Sequence, residues 1–227
     1  MLGVILTYHS FHEFYPYQLA NLKKHIKVPF KIYFIDNSFV HHSMPDCVYL
    51  ECKVSGSPSH RHQEAINMGL CYAWNDCDAF LIFDNDMIFL EDWTPPSVCQ
   101  YLPQRRGNLE YAWLNLLYFP KDEALKRFDF ANCTQTRERT DSGGSFGFFL
   151  RNGGKAETIA TLENRKEYFP QFIDGYEALC RKHKVGIWYD VFCMNGTKVF
   201  HFRALSNWTN YPEVFQQEKK KLILYSV

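Results

Sequence analysis

Residues 80–90 read Phe-Leu-Ile-Phe-Asp-Asn-Asp-Met-Ile-Phe-Leu, an apolar run interrupted once, by Asp84-Asn85-Asp86. Such a run, bounded by polar residues, is the pattern of a strand buried on both faces, which directs the chain toward a layered α/β fold. Side chains alternate across a strand, so carboxylates at i and i+2 of extended chain point to one side. Two anions held together at the end of a buried strand repel each other and lose hydration. A divalent cation that favours oxygen ligands, Mg²⁺ or Mn²⁺, relieves both penalties. The plainer alternative is an acidic turn that ends a strand.

The 227 residues suffice for one domain with a substantial core. A content of 46% hydrophobic and 17% aromatic residues fits a folded protein. Lys plus Arg and Asp plus Glu each number 25, so the basic excess that nucleic acid binding calls for is absent. No apolar run approaches the roughly 18 residues of a membrane span. The N-terminus lacks the basic start and cleavage site of a secretion signal. We therefore expect a soluble cytoplasmic protein whose eight cysteines are reduced; none forms a C-x-x-C pair, which argues against zinc.

Gly3 to Tyr8 reads as a first buried strand that ends at His9-Ser10, and Leu19, Leu22, His25 and Ile26 recur at helical spacing before Pro29. Phe30 to Ile35 reads as a second strand, ending in Asp36-Asn37-Ser38, and residues 47–50 as a short third. Ser59 is placed to cap a helix from about His60 to Trp74, and the strand carrying Asp84 follows. This alternation predicts a largely parallel sheet, in which ligands gather at the carboxyl ends of strands. Those ends carry His9-Ser10, Asp36-Asn37-Ser38 and Asp84-Asn85-Asp86. Neither G-x-G-x-x-G after the first strand nor G-x-x-x-x-G-K-[ST] anywhere is present, which disfavours dinucleotide dehydrogenases and P-loop enzymes.

In the second half, Tyr111 to Phe119 reads as a strand and residues 121–140 as a charged, mobile loop. Residues 141–150 read as glycines set against a strand, followed by helices around 155–167 and 175–184. Strands over Gly186 to Val191 and Lys198 to Phe202 flank Met194-Asn195-Gly196, a hairpin signal, and the last core strand ends at His201. Residues 218–224 read as a terminal helix packed on the domain, with weak contact to an anionic membrane surface as the alternative.

In order as well as type, these motifs resemble those of nucleotide-sugar-dependent glycosyltransferases of the A-type fold, and the layout is similar to the family-2 group over roughly residues 2–205. The resemblance implies an α/β, single-domain, Rossmann-like, mostly parallel sheet flanked by helices, with a smaller antiparallel acceptor-side sheet. Residues 1–105 would form the nucleotide-sugar half, 106–205 the acceptor half and 206–227 a tail. It implies donor contacts from Thr7, Tyr8, His9, Asp36, Asn37, Arg61, Asn67, Asp84, Asn85 and Arg203. Asp86 and His201 would ligate Mn²⁺ or Mg²⁺, with Asp84 on the ribose or on the metal through water. Asp174, with Glu177 in reserve, would be the catalytic base of an inverting transfer, and Gly143, Gly144 and Trp208 would lie on the acceptor side. Asp174 stands alone where the family often has Glu-Asp, and Asp36-Asn37-Ser38 stands where Asp-Asp-Gly-Ser is common.

The activity so implied is metal-dependent transfer of a sugar from a nucleoside diphosphate sugar to a hydroxyl of a glycan or glycosylated acceptor, as in soluble enzymes of bacteria or large viruses. Two other readings stand beside it. A sugar-1-phosphate nucleotidyltransferase would carry a Gly-rich, basic loop where this chain has Tyr8-His9-Ser10-Phe11-His12. A carbohydrate- or Ca²⁺-binding module would use Asp84, Asp86, Glu91 and Asp92 without turnover. Trp93, Trp188 and Trp208 are candidates for stacking on a sugar ring.

Overall fold

Strand β1 (Leu2–Tyr8) is buried along its whole length and pairs in parallel with β2 (Phe30–Asp36) on one side and β4 (Ala79–Asp84) on the other. Their register sets Tyr8 beside Asp36 and Thr7 beside Asp84, so all three strands end at one level. The structure, a computed structural model, describes residues 1–121, 142–162, 165–203 and 211–227. The chain divides into two compact units. The first comprises Met1–His9, Val28–Asp84 and Thr94–Ile159; the second comprises Ser10–Lys27, Asn85–Trp93 and Ala160–Val227. The boundary falls between the residues of the acidic motif, after Asp84, where β4 gives way to a turn and then β5 (Met87–Phe89).

In the first unit, β3 (Val48–Glu51), β6 (Cys99–Arg106), β7 (Leu109–Pro120) and β8 (Ala156–Thr158) complete a seven-stranded sheet of order β3-β2-β1-β4-β7-β6-β8. Four of its pairings are parallel and two antiparallel, the mostly parallel arrangement expected. Helix α2 (Pro58–Ala73) lays Ala65, Ile66, Leu70 and Ala73 on this sheet. A Cβ at Gly69 would come within 2.7 Å of both Ile5 and Ile35, so glycine lets the helix sit close. Its cap is Ser57, not Ser59: the Ser57 hydroxyl accepts from the His60 N–H at 3.2 Å. Pro58 has no N–H to satisfy and a preset φ, which suits the first helical position and leaves the cap to the residue before it.

Two expectations fail here. Phe146 to Leu150 is helical, as part of α3 (Phe146–Arg151), rather than strand. A short apolar run satisfies either period, and here Phe146 and Phe149, three residues apart, share the core face against Tyr101. Within the helix expected over 155–167, the chain is instead extended as β8 and β9 (Ala160–Thr161), where the β-branched Thr158, Ile159 and Thr161 favour strand, and only a 3-10 turn, Lys166–Tyr168, is helical among the described residues. Strand β6 went unread, because charge and proline interrupt its second half.

The second unit holds an antiparallel sheet of order β5-β11-β10-β9, with β10 (Asp190–Met194) and β11 (Thr197–His201). Asn195 and Gly196 join them at φ 50 and 79, the positive pair that an Asn-Gly hairpin turn requires. Strand β10 starts at Asp190 rather than Gly186. Helix α1 (Tyr15–His25) holds β5 through Asn21, which bonds the Phe89 carbonyl and N–H at 2.8 Å each. Helices α4 (Pro170–His183) and α5 (Glu213–Ser226) pack Phe172, Ile173, Tyr176, Phe215 and Ile223 into the unit's core with Phe200 and Phe202. Among the described residues no helix is long and apolar enough to cross a membrane.

Candidate functional site

The pairings of the small sheet gather the second unit's polar residues. His201 lies opposite Met87 on one side and Asp190 on the other, and the Phe202 N–H donates to the Asp86 carbonyl at 2.9 Å. Asp86, His201 and Asp190 therefore converge. His201 Nε2 lies 3.2 Å from Asp86 Oδ1, and Nδ1 lies 3.1 Å from Asp190 Oδ2; the three side chains are 2 to 4% exposed. Arg203 follows with its Nε 3.3 Å from Asp190 Oδ2 and its guanidinium 4.0 Å above the Trp188 ring. Asp190 Oδ1 and Arg203 Nη1 are buried with no hydrogen-bond partner among the described residues.

Burial opposes charge on His201, but Asp86 and then Asp190 outweigh it and raise the imidazole pKa to about 9. In the metal-free protein the ring is thus protonated: Nδ1 donates to Asp190 and Nε2 forms an ion pair with Asp86. The same residues fit a divalent cation. Two adjacent ligands of an octahedral ion at about 2.1 Å lie about 3.0 Å apart, close to the 3.2 Å between Nε2 and Asp86 Oδ1. A carboxylate on the far nitrogen is the usual partner of a metal-binding histidine, since it fixes the ring and strengthens the ligand. Asp190 occupies that place, and the sequence reading missed it.

The first unit arranges its own carboxylates. Asp84 accepts from the Thr7 hydroxyl at 3.4 Å and from Asn115 Nδ2 at 2.7 Å. Asp36 is 1% exposed and accepts from the Ser38 N–H at 2.8 Å and the Tyr49 hydroxyl at 2.6 Å. Burial, then the bond to Asp36, push the Tyr49 phenol up to about 12, so it stays a donor. His9 Nδ1 lies 3.0 Å from the Asn37 carbonyl. Tyr8 is a core residue, its ring 4.6 Å from Phe34. Arg61 and Asn67 are half-buried on α2. Asn115 also went unread; its signal is a single amide inside Trp113-Leu114-Asn115-Leu116-Leu117.

The premise that Asp84 and Asp86 share one face of a strand is corrected. Strand β4 ends at Asp84, Asn85 and Asp86 form the turn, and the two carboxylates have different partners. In that turn Asn85 is 1% exposed and donates to the Ser10 carbonyl at 3.1 Å.

Helix α4 begins at Pro170, so Asp174 is not at its head and does not cap it. Its exposed side chain lies 2.7 Å from Lys166 Nζ, and Glu177 lies 3.5 Å from the same amine and 3.7 Å from Arg181. Gly143 and Gly144 form the turn before α3. Gly143 has φ +92 and a Cβ there would meet the Ala112 carbonyl at 2.2 Å, so backbone and space both demand glycine. Glu91 pairs with Lys198, and Asp92 with His25 and Lys27. Trp93 is fully buried and Trp188 is 42% exposed. Trp208 and, beyond Lys121, the charged loop lie outside the described residues.

No protein-family model matches the chain, and no curated protein does. Among solved structures, it is similar to the mannosyltransferase PcManGT from Pyrobaculum calidifontis in complex with GDP-Man and Mn²⁺, at 13% identity and a TM-score of 0.46 over 99% of this chain and 70% of that one. It is also similar to the glycosyltransferase GlyE of Streptococcus pneumoniae TIGR4, in its apo form at 13% identity and TM-score 0.42 and in a second structure at 12% and 0.40. Each match covers 98% of this chain and 62% of GlyE, so the chain spans less than two thirds of GlyE's length. These solved structures are glycosyltransferases, and the chain's own architecture is α/β: a mostly parallel seven-stranded sheet flanked by helices, with a smaller antiparallel sheet of four strands.

Proposed function

We propose that the protein is a metal-dependent glycosyltransferase that moves a sugar from a nucleoside diphosphate sugar to a hydroxyl of a glycan acceptor. The observation that carries this reading is the buried relay Asp86–His201–Asp190, two carboxylates about one imidazole. An Asp–His pair with a carboxylate behind the histidine is a donor set suited to Mn²⁺ or Mg²⁺. When bound, the ion supplies Lewis-acid neutralisation of the charge on a departing diphosphate. Asp86 and His201 would hold it, with Asp190 fixing the imidazole.

Arg203 offers the phosphates a planar guanidinium, already oriented by Asp190 and Trp188. On the first unit, Asp84 and Asp36 accept from ribose and base, oriented by Asn115 and Thr7 and by Tyr49 and Ser38. His9, Asn37, Arg61 and Asn67 complete the donor contacts, while Tyr8 and Asn85 act by packing and by holding backbone. Asp174, exposed and held by Lys166, takes the acceptor proton in an inverting transfer, with Glu177 in reserve. Gly143, Gly144 and Trp208 belong to the acceptor side.

The test is release of nucleoside diphosphate from a panel of nucleotide sugars with hydroxyl acceptors, with Mn²⁺ and with chelator. The reading expects metal-dependent release from one donor, abolished by Asp86→Ala. Binding of a nucleotide sugar without release to any acceptor would make the protein a binding module instead.

A further inference from the structure

The buried stripe of α5 is Phe215, Lys219 and Ile223, at i, i+4 and i+8. Phe215 and Ile223 belong to the apolar core, and Leu222 lies so close to Gly175 of α4 that a Cβ there would come within 2.7 Å. Lys219, in the middle of the stripe, is 1% exposed, whereas Lys221 is exposed. An ammonium out of water is costly unless something matches it, and an apolar side chain would fill the stripe at lower cost.

Lys219 Nζ donates to the Arg203 carbonyl and lies 4.9 Å from the centre of the Tyr176 ring. The carbonyl it holds belongs to a residue in an unusual state. Arg203 has φ +42, in the left-handed region that side-chain-bearing residues adopt only under constraint. In that conformation, just after β11, its Nε reaches Asp190 and its guanidinium covers Trp188. Asp190 in turn holds His201. A continuous set of contacts thus leads from the C-terminal helix to the metal-binding residues, all within the second unit.

We propose that Lys219 is a positioning residue: by holding the Arg203 carbonyl it keeps that backbone left-handed and the guanidinium on Asp190, which makes α5 part of the diphosphate-binding apparatus. The inference rests on the reading of Arg203 as a diphosphate contact.

The test uses Lys219→Met and, as a second apolar replacement, Lys219→Leu, each in the full chain. Crystal structures report the place of Arg203, and calorimetry reports affinity for Mn²⁺ alone and for the nucleoside diphosphate that the wild type binds with Mn²⁺. The proposal expects Arg203 to leave the left-handed region and Asp190 in the variants. It expects nucleotide affinity to fall about tenfold or more while Mn²⁺ affinity changes less than about threefold. It also expects Lys219→Met to add little to Arg203→Ala, because the two act as one unit. Arg203 unmoved in the variant structures, or losses that add in full, would overturn it. So would failure of both variants to fold, which would assign Lys219 to helix packing alone. If the wild type binds no nucleoside diphosphate, the functional reading falls, and the place of Arg203 in the variants still decides the role of Lys219.

Discussion

His201 Nε2 faces Asp86 Oδ1 at 3.2 Å, and both side chains are almost wholly withdrawn from solvent. In the function proposed above, that one separation would serve two occupants. A proton on Nε2 makes it an ion pair between an imidazolium and a carboxylate. A divalent cation, in the function proposed above, would take the place of that proton and be held by His201 and Asp86, with Asp190 supporting the ring in either state.

The first prediction follows from this competition. With the His201 pKa raised to about 9, metal must displace a proton at neutral pH. The Mn²⁺ association constant should rise about tenfold per pH unit from pH 6.5 toward 9 and then level off. Calorimetric titrations at several pH values, in buffers of differing ionisation enthalpy, check both the slope and the released proton. The metal-free protein should behave in the opposite sense. A folded-state pKa above the unfolded value of about 6.5 stabilises fully below pH 6.5, and that stabilisation is lost as pH rises through about 9, on the order of 3 kcal/mol in all. Denaturant melts in chelator should show this decline, and His201→Gln should flatten it.

Asp190→Asn keeps the shape of the side chain and removes the charge behind the histidine. Loss of such a partner typically costs 10- to 100-fold in metal affinity, and that range is expected here for Mn²⁺, with the fold retained by thermal melting. An affinity within about twofold of wild type would mean that Asp190 serves Arg203 alone.

Asn115→Leu tests the first unit. The amide donates to Asp84 Oδ2 at 2.7 Å, and leucine of similar size cannot. We expect nucleotide affinity to fall about ten- to a hundredfold, the worth of one hydrogen bond to a charged group. Binding of Mn²⁺ alone should be unchanged. Equal losses in both would place Asp84 on the metal.

The strand ends were readable because burial writes itself into sequence: Leu2–Tyr8, Phe30–Asp36 and Ala79–Asp84 are nearly continuous apolar runs, and each stops at a polar residue. Asn195-Gly196 was readable because its turn needs two positive φ values. The partners were not readable. Asp190 matters because hairpin register sets it opposite His201, and Asn115 because β7 runs beside β4; neither fact is local to its own segment. Phe146 to Leu150 misled because four apolar residues about one glycine fit strand and helix alike, and packing of α3 on β7 decided the outcome. Lys219 looked like one charge in a basic tail, since only the packing of α5 shows which lysine turns inward.

The central claim is that Asp86 anchors a metal on which nucleotide binding depends. The most direct measurement is a calorimetric titration of the four common nucleoside diphosphates with Mn²⁺ and with chelator, on the wild type and on Asp86→Ala. The account predicts that at least one nucleotide binds with Mn²⁺, that chelator weakens it at least about tenfold, and that Asp86→Ala does the same with Mn²⁺ present. Nucleotide binding that is equally tight with chelator or in Asp86→Ala, or no nucleotide binding at all, would contradict it.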